Sequence, residues 1–195
     1  YRVHIGVALV MLVMIINLRG VKESGAAFAV PTYFFITVMF ITVGAGFFRY
    51  FSGSLGTVIS PPEMAFEGIA QAITPFLLLH AFSSGTAALT GIEAISNGIT
   101  AFKEPRSKNA GITLIWMAGI LASLFLSISF MVGKIGAVPS EAETVISQLA
   151  RTIYDGQVIF YLAVISGTAV ILIMAANTAF ADFPRLGALA AGDGY

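Results

Sequence analysis

One apolar segment, residues 69–102, restricts the fold more than any other part of the chain. It is about 34 residues long, whereas about 20 apolar residues cross the hydrocarbon of a bilayer. Small and hydroxylated residues occupy its centre, and Glu93 follows them. Long apolar segments interrupted by glycine are typical of the discontinuous helices of transporters, in which unwound backbone lines a binding site. The segment therefore predicts a helix that is broken between residues 86 and 92, in a secondary transporter.

The composition indicates an integral membrane protein. Hydrophobic residues make up 57% of the chain and charged residues 10%, and the mean hydropathy is +0.91. A soluble domain of this length needs more charged side chains to cover its surface. The lipid bilayer is thus a predicted partner and a nucleic acid is not, because no basic stripe runs along the sequence.

Residues typical of an enzyme or of a cofactor site do not come together in this sequence. It contains no cysteine, and its two histidines, His4 and His80, are far apart. No nucleophile–base pair or phosphate-binding loop is recognisable. We predict no enzyme activity, no cofactor and no resident metal.

Five apolar stretches predict an all-α integral membrane fold. The first is short, and the others reach the length that a span requires. Tyr1 directly precedes an apolar run and no signal peptide is recognisable, so we expect an internal piece of a longer membrane protein with further spans before and after it. The five predicted membrane segments are residues 3–16, 26–48, 69–102, 110–132 and 158–180.

Basic residues orient the predicted spans. Residues 17–24 hold two of them, residues 103–108 hold three, and Arg185 follows the last span. Lysine and arginine accumulate in cytoplasmic loops. We therefore predict a multi-pass protein of the cell membrane, with the N-terminus of this chain outside and its C-terminus in the cytoplasm.

Two segments outside the spans have a predicted structure. Glycine and proline in residues 51–62 break every periodicity and predict a loop. Residues 140–143, Ser-Glu-Ala-Glu, match a capping box at a helix start. Apolar residues recur at helical spacing over residues 145–153, which predicts a short amphipathic helix on the outer surface.

Glu93 is the strongest candidate for a functional residue. A carboxylate inside an apolar span is costly, and its default interpretation is a site that faces protein or a water-filled cavity. If the helix breaks at Gly91, unpaired carbonyls, the Thr90 hydroxyl and the Glu93 carboxylate form an oxygen-lined site for a small cation. A carboxylate that takes up and releases a proton there would couple transport to protons. The alternative is a buried glutamate that pairs with neighbouring polar groups and only fixes helix packing.

Four further polar residues on the same segment are weaker candidates. Ser84 and Thr86 either contact the substrate or return a hydrogen bond to a carbonyl of their own helix. Ser96 and Asn97 follow Glu93 and are candidates for orienting its carboxylate.

Asp182 and Arg185 follow the last predicted span. They are three residues apart, a spacing at which side chains meet on a helix. They form a candidate gate pair, although an exposed ion pair contributes little to stability.

Several motifs resemble a known transporter superfamily. Residues 90–97, Thr-Gly-Ile-Glu-Ala-Ile-Ser-Asn, and residues 102–106, Phe-Lys-Glu-Pro-Arg, resemble the broken sixth helix and following loop of the amino acid–polyamine–organocation (APC) superfamily. Residues 144–151 and 177–186 are more similar to the KUP-type, KimA-like potassium importers of that superfamily. The resemblance covers nearly the whole chain, which would correspond to the fourth to eighth spans of the family.

The resemblance implies a LeuT-type fold of five plus five helices in inverted repeats, with the site between a broken first and a broken sixth helix. In the potassium branch, a threonine and a glutamate three residues apart on the sixth helix serve ion binding and proton coupling. Those positions match Thr90 and Glu93, which places a K⁺ ion at Thr90. The implied activity is proton-coupled potassium import by alternating access. The remaining spans of the same protein are implied partners, and a homo-oligomer is compatible with this fold.

Two other functions remain open. An amino acid permease of the same superfamily would bind a substrate carboxylate at the half-helix that begins at Gly91, but Glu93 nearby would repel an anion. A membrane sensor or scaffold that does not transport would use Glu93 for packing alone.

Overall fold

The described part of the chain is all-helical. The computed structural model describes residues 2–18, 21–63, 74–86, 91, 92, 95, 99 and 102–192. Within these residues no strand occurs, and the fold is the predicted all-α membrane class. The helices are α1 (Arg2–Leu18), α2 (Val21–Phe51), α3 (Pro75–Gly85), α4 (Arg106–Ile135), α5 (Val145–Tyr154) and α6 (Val158–Gly192).

Among the described residues, three helical segments are long and apolar enough to cross a membrane: Ala29–Phe51, Arg106–Ile135 and Val158–Ala175. They correspond to the predicted spans 26–48, 110–132 and 158–180. Val3–Ile15, in the predicted first span, is a shorter apolar helix. Much of the predicted third span, including residues 87–90, lies outside the described residues.

The helices continue past the apolar stretches that predicted them. Helix α6 was expected to leave the membrane at residue 180, yet its backbone stays helical to Gly192. Helix α2 likewise extends to Phe51. A helix satisfies its own backbone groups in water as well as in lipid, so hydropathy predicts where a span enters the hydrocarbon and not where the helix ends.

One end of the bundle holds the packed core. Helix α5 lies there against α2, α4 and α6. Helix α4 turns a single face inward, because its buried residues Ala110, Leu124, Met131 and Ile135 recur at helical spacing. The buried core consists of Met39, Val43, Val58, Leu124, Met131, Ile135, Leu149, Ala150, Ile153, Tyr154 and Val164.

The loop that follows α2 meets α4 and α5 at the same end. The amide of Val58 donates to the carbonyl of Ile135 over 2.9 Å, which ties the loop to the last turn of α4. We call this end, with the loop 52–63 and α5, the α5 end. The exposed basic residues of 103–108 lie at the other end of the 30-residue helix α4, and we call it the basic end. The loops 52–63 and 103–108 thus lie at opposite ends of the bundle, as expected for loops predicted on opposite sides of the membrane. The side of the membrane that each end occupies stays a prediction.

Aromatic rings gather where α2 and α4 reach the α5 end. The rings of Phe47 and Phe130 stack at 5.8 Å, and Tyr50 meets Phe130 edge-on at 5.3 Å. The ammonium of Lys134 lies 5.5 Å from the Tyr50 ring and 5.4 Å from the Phe130 ring. Aromatic and basic side chains with this arrangement are typical of a membrane–water interface.

Two predictions about α5 were wrong. The helix begins with Thr144 as its N-cap, whose hydroxyl accepts from the amide of Ser147 over 3.2 Å, so residues 140–143 do not form a capping box. Ser140 accepts instead from the amide of Ala142. The helix is amphipathic as predicted, but it does not lie on the surface: both its apolar face and its polar residues Ser147 and Gln148 are buried.

Candidate functional site

The predicted transport site lies partly within the described residues. Thr90, Glu93, Ser96 and Asn97 lie outside them, and their predicted roles remain predictions. Ser84, Thr86 and Gly91 are described. Asp182 and Arg185 both lie on the helical backbone of α6, with side chains outside the described part, so the predicted gate pair also remains a prediction.

Helix α3 ends where the sequence predicts the interruption to begin. Thr74 caps its start by accepting from the amide of Leu77 over 3.1 Å, and Pro75 supplies the fixed backbone angle of a first turn. Its last residue is Gly85, and Thr86 is the C-cap. The predicted loss of helical hydrogen bonding up to Ile92 depends on residues 87–90, which are outside the described residues.

Ser84 and Thr86 place two hydroxyls at the end of α3. Thr86 Oγ1 donates to the carbonyl of Ser83 over 2.6 Å, which is the local bond that the sequence left as one alternative. Its proton is therefore used, while its oxygen lone pairs stay available as acceptors. The Ser84 side chain is exposed.

Gly91 lies close to the side chain of Met117 on α4. Gly91 and Ile92 are helical, and the φ of Gly91 lies outside the left-handed region that favours glycine. Because the residues on both sides of this pair lie outside the described part of the chain, the predicted break at Gly91 remains a prediction. A Cβ atom at this position would lie 3.2 Å from Sδ and 3.4 Å from Cε of Met117 on α4, so the absence of a side chain allows close approach of the two elements.

A polar network that sequence reasoning missed occupies the α5 end. Glu143 accepts from Arg151 Nε over 3.3 Å and from its Nη2 over 2.9 Å, which makes a bidentate ion pair. Ser147 Oγ donates to Glu143 over 2.8 Å. Since that proton is used, the 2.9 Å contact between Ser147 Oγ and Tyr161 Oη is a bond that Tyr161 donates. Nη1 of the same Arg151 side chain donates to the carbonyl of Ile59 over 2.9 Å. One guanidinium therefore joins α5 to the loop 52–63.

Arg49 donates hydrogen bonds to carbonyls at the C-terminal end of α5. Its Nη1 donates to the carbonyls of Thr152 and Ile153, and its Nε and Nη2 donate to the carbonyl of Ser54. Asp155 lies 3.9 Å from Nη2. A guanidinium at the C-terminus of a helix satisfies carbonyls that have no partner within the helix and is favoured by the helix dipole.

Gln148 fixes the segment before α5. Its Nε2 donates to the carbonyl of Val138 over 2.7 Å, and its Oε1 accepts from the amide of the same residue over 3.1 Å. The side chain is 0% exposed, so the pair of bonds satisfies a fully buried amide.

The sequence did contain a signal that Arg49 and Arg151 have a special role. Both lie in or near connections that are predicted to be outside the cell, where the positive-inside rule disfavours basic residues.

Two cavities formed by described residues lie beside this network. One of about 260 Å³ is lined by Arg151, Tyr154, Gly156, Gln157, Val158 and Tyr161. A smaller one of about 140 Å³ lies between the two arginines. Because Arg49 and Arg151 are both already bonded to carbonyls and carboxylates there, we interpret the network as structural.

Comparison with known proteins identifies the family. A family model described as amino acid permease matches residues 1–195, the whole chain. The chain belongs to the amino acid permease family. Among members of this superfamily it is similar to the potassium transporter KimA of Bacillus subtilis strain 168, with 42% identity over 196 residues. The alignment covers 100% of this chain and 32% of KimA, so the chain spans about a third of that relative.

The permease family confirms the predicted resemblance to the APC superfamily and to its KimA-like branch. The family and the relative are described as a permease and a transporter, which agrees with the prediction of a membrane transport protein and not of an enzyme. The apolar helices Ala29–Phe51, Arg106–Ile135 and Val158–Ala175 agree with a multi-pass protein of the cell membrane.

Proposed function

We propose that the full-length protein is a secondary transporter that imports potassium together with protons by alternating access. The observation that carries this proposal is the 42% identity, along the whole chain, to the potassium transporter KimA. The sequence Thr90-Gly-Ile-Glu93 within that region supplies the chemistry that the proposal needs: a hydroxyl and a carboxylate three residues apart in an apolar segment.

In this proposal each candidate residue has a separate role. Glu93 takes up and releases the coupled proton, and the Thr90 hydroxyl replaces part of the hydration shell of K⁺. Thr86 donates its proton to Ser83, which leaves its oxygen free to face a cation. Ser84 is a further oxygen near the end of α3, and Ser96 and Asn97 orient the carboxylate. The remaining helices of a five-plus-five repeat complete the site.

The first test is Glu93→Gln in the full-length protein, expressed in a host that lacks other potassium uptake systems. Glutamine keeps the shape and the hydrogen-bonding reach of glutamate but does not titrate. Potassium-dependent growth should fail, or uptake should lose its dependence on external pH, while membrane abundance stays near wild type. Glu141→Gln, at an exposed position before α5, is the matched control and should leave uptake unchanged. Wild-type, pH-sensitive uptake by Glu93→Gln would overturn the assignment of Glu93.

The second test is Thr90→Ala, which removes one oxygen ligand. A lost buried polar partner costs about 1–3 kcal/mol, so the apparent affinity for potassium should fall by about 5- to 150-fold. The dependence of uptake on pH should remain, because Glu93 is intact. The two substitutions thus separate ion binding from proton coupling.

An amino acid substrate is the second candidate, and the description of the family model as amino acid permease favours it. Uptake of radiolabelled amino acids by the wild type, abolished by Glu93→Gln without any potassium phenotype, would establish this function instead. A wild-type protein that moves neither potassium nor amino acids would be a sensor or scaffold.

A further inference from the structure

Lys134 differs from the two arginines at the α5 end in having no carboxylate partner. Arg49 lies 3.9 Å from Asp155, and Arg151 lies 2.9 Å from Glu143. Within the described part of the chain, the ammonium of Lys134 forms neither an ion pair nor a hydrogen bond. Its positive charge is therefore not compensated there.

Two aromatic rings hold that ammonium in place. Its Nζ lies 5.5 Å from the centre of the Tyr50 ring and 5.4 Å from that of Phe130. The two rings meet edge-on, and Phe47 stacks on Phe130, so contacts between α2 and α4 fix the rings themselves. A ring face attracts a cation electrostatically, but an ammonium also has three N–H donors. A phosphate oxygen accepts such donors in short, charge-assisted hydrogen bonds.

The position of Lys134 along the helices matches the headgroup level of a bilayer. It lies in the last turn of α4, at the end of the membrane-length segment Arg106–Ile135. Leu126 and Phe130 precede it at intervals of four residues, so the three side chains share one face of α4. Leu126 is 66% exposed and Phe130 is 41% exposed. Toward the α5 end this face thus presents an apolar side chain, an aromatic ring and a cation, in the order in which a phospholipid presents its acyl chain and its phosphate.

We propose that Lys134, Phe130 and Leu126 of α4, together with Tyr50 of α2, bind one anionic phospholipid of the membrane leaflet at the α5 end. The ammonium donates to the phosphate, and an acyl chain lies along the exposed face of α4. Phe51, which is 80% exposed and packs on Tyr50, adds apolar surface at the level of the headgroup. The proposal does not depend on which substrate the protein transports.

The charges at the site predict which headgroup is preferred. Phosphatidylcholine carries a quaternary ammonium besides its phosphate. The ring faces at which that cation could bind already hold the ammonium of Lys134, and the two like charges repel each other. Phosphatidylglycerol brings the phosphate without a cation. The site should therefore prefer phosphatidylglycerol to phosphatidylcholine.

The test measures lipid binding to the purified full-length protein. Native mass spectrometry during a titration in detergent gives the dissociation constant of the first phosphatidylglycerol bound per chain. Lys134→Gln should weaken that binding about fivefold, which is the contribution of one basic residue near an anionic lipid surface. Lys134→Arg keeps the charge and should bind within about twofold of wild type. Phosphatidylcholine should bind the wild type more weakly, and Lys134→Gln should not change its binding.

Two further variants separate the site from a general attraction between positive charge and anionic lipid. Phe130→Leu keeps apolar surface but removes one ring below the ammonium, and it should weaken binding of phosphatidylglycerol about twofold to fivefold. Lys103→Gln is the matched control, because Lys103 is an exposed cation at the basic end. It should leave the first binding step unchanged.

Four results would each overturn the proposal. These are equal affinity of the wild type for the two lipids, unchanged binding by Lys134→Gln, an equal loss in Lys103→Gln, and displacement of the lipid by excess inorganic phosphate. The last result would mean that the site holds the phosphate alone and that the exposed face of α4 contributes nothing. A fivefold loss in Lys134→Arg as well as in Lys134→Gln would show that the charge is not what binds.

Discussion

At the scale of single residues, the buried pair Thr42 and Tyr154 shows how polar groups are accommodated in the core. Thr42 Oγ1 donates to the carbonyl of Val38 over 2.8 Å. Its proton is thus used, so the 2.9 Å contact with Tyr154 Oη is a bond that the tyrosine donates. Thr42 is 0% exposed, and the chain of two bonds leaves neither hydroxyl without a partner.

This pair gives a prediction with an internal control. Thr42→Val leaves the Tyr154 hydroxyl without an acceptor and should lower the free energy of unfolding by about 1 kcal/mol. Tyr154→Phe removes the other partner. The double variant should be no less stable than Thr42→Val alone, because removing both partners leaves no unsatisfied donor. Thermal unfolding of the purified full-length protein in detergent measures all three; strictly additive losses would contradict the bond.

The sequence could not reveal this bond. A threonine inside an apolar span predicts a bond to its own helix, which Thr42 does make. Its second partner lies 112 positions away in the sequence, and local periodicity carries no information over that distance.

At the scale of helices, α5 is held by polar contacts at several points along its length. Arg49 satisfies its last carbonyls, Arg151 joins it to the loop 52–63, and Gln148 fixes the segment before it. Helix α5 has only ten residues, which is too short for a helix to be stable alone. These contacts to neighbouring segments stabilise it, and they allow its polar side chains to be buried together with its apolar ones.

The two arginines at the two ends of the bundle make a matched pair for a test. Arg49→Met removes a guanidinium that serves three carbonyls and should lower the free energy of unfolding by about 2 kcal/mol. Arg106→Met breaks an ion pair with Glu104 whose two side chains are 50% and 73% exposed, and should change it by less than about 0.5 kcal/mol. Equal thermal shifts of the two variants would contradict the role of Arg49.

The helices themselves were largely predictable, because apolar periodicity over more than 20 residues leaves few alternatives. The loop at residues 52–63 was predictable from its glycines and prolines. The burial of α5 was not. Its polar residues predicted a surface helix, and only the partners of Ser147 and Gln148 on other segments make their burial favourable.

At the scale of the whole molecule, the described core is concentrated at the α5 end. The loops at the two ends of α4 carry opposite charges. Basic residues of 103–108 precede the helix, and acidic residues around Glu143 follow it. The opposite placement of these loops follows from the length of α4, whereas the side of the membrane that each occupies follows from the charge rule alone.

Thiol labelling tests the orientation. Single cysteines at Lys108 and at the exposed Glu141 would be placed in the full-length protein, with any other cysteines replaced. A membrane-impermeant thiol reagent on intact cells should label Glu141→Cys and not Lys108→Cys, and should label both after permeabilisation. The reverse pattern in intact cells would invert the predicted topology.

Access for a protease differs between the two ends of the bundle. The reason is the set of contacts made by the cationic groups of Arg49, Lys134 and Arg151. Trypsin needs several residues of extended chain around a basic side chain. At the α5 end these three lie in helices, with their cationic groups bonded to carbonyls or carboxylates or lying over aromatic rings. At the basic end, Lys103 is exposed and precedes the helix, the kind of site at which nicking concentrates. Digestion from that side should therefore separate the chain cleanly ahead of α4, while the opposite face stays resistant.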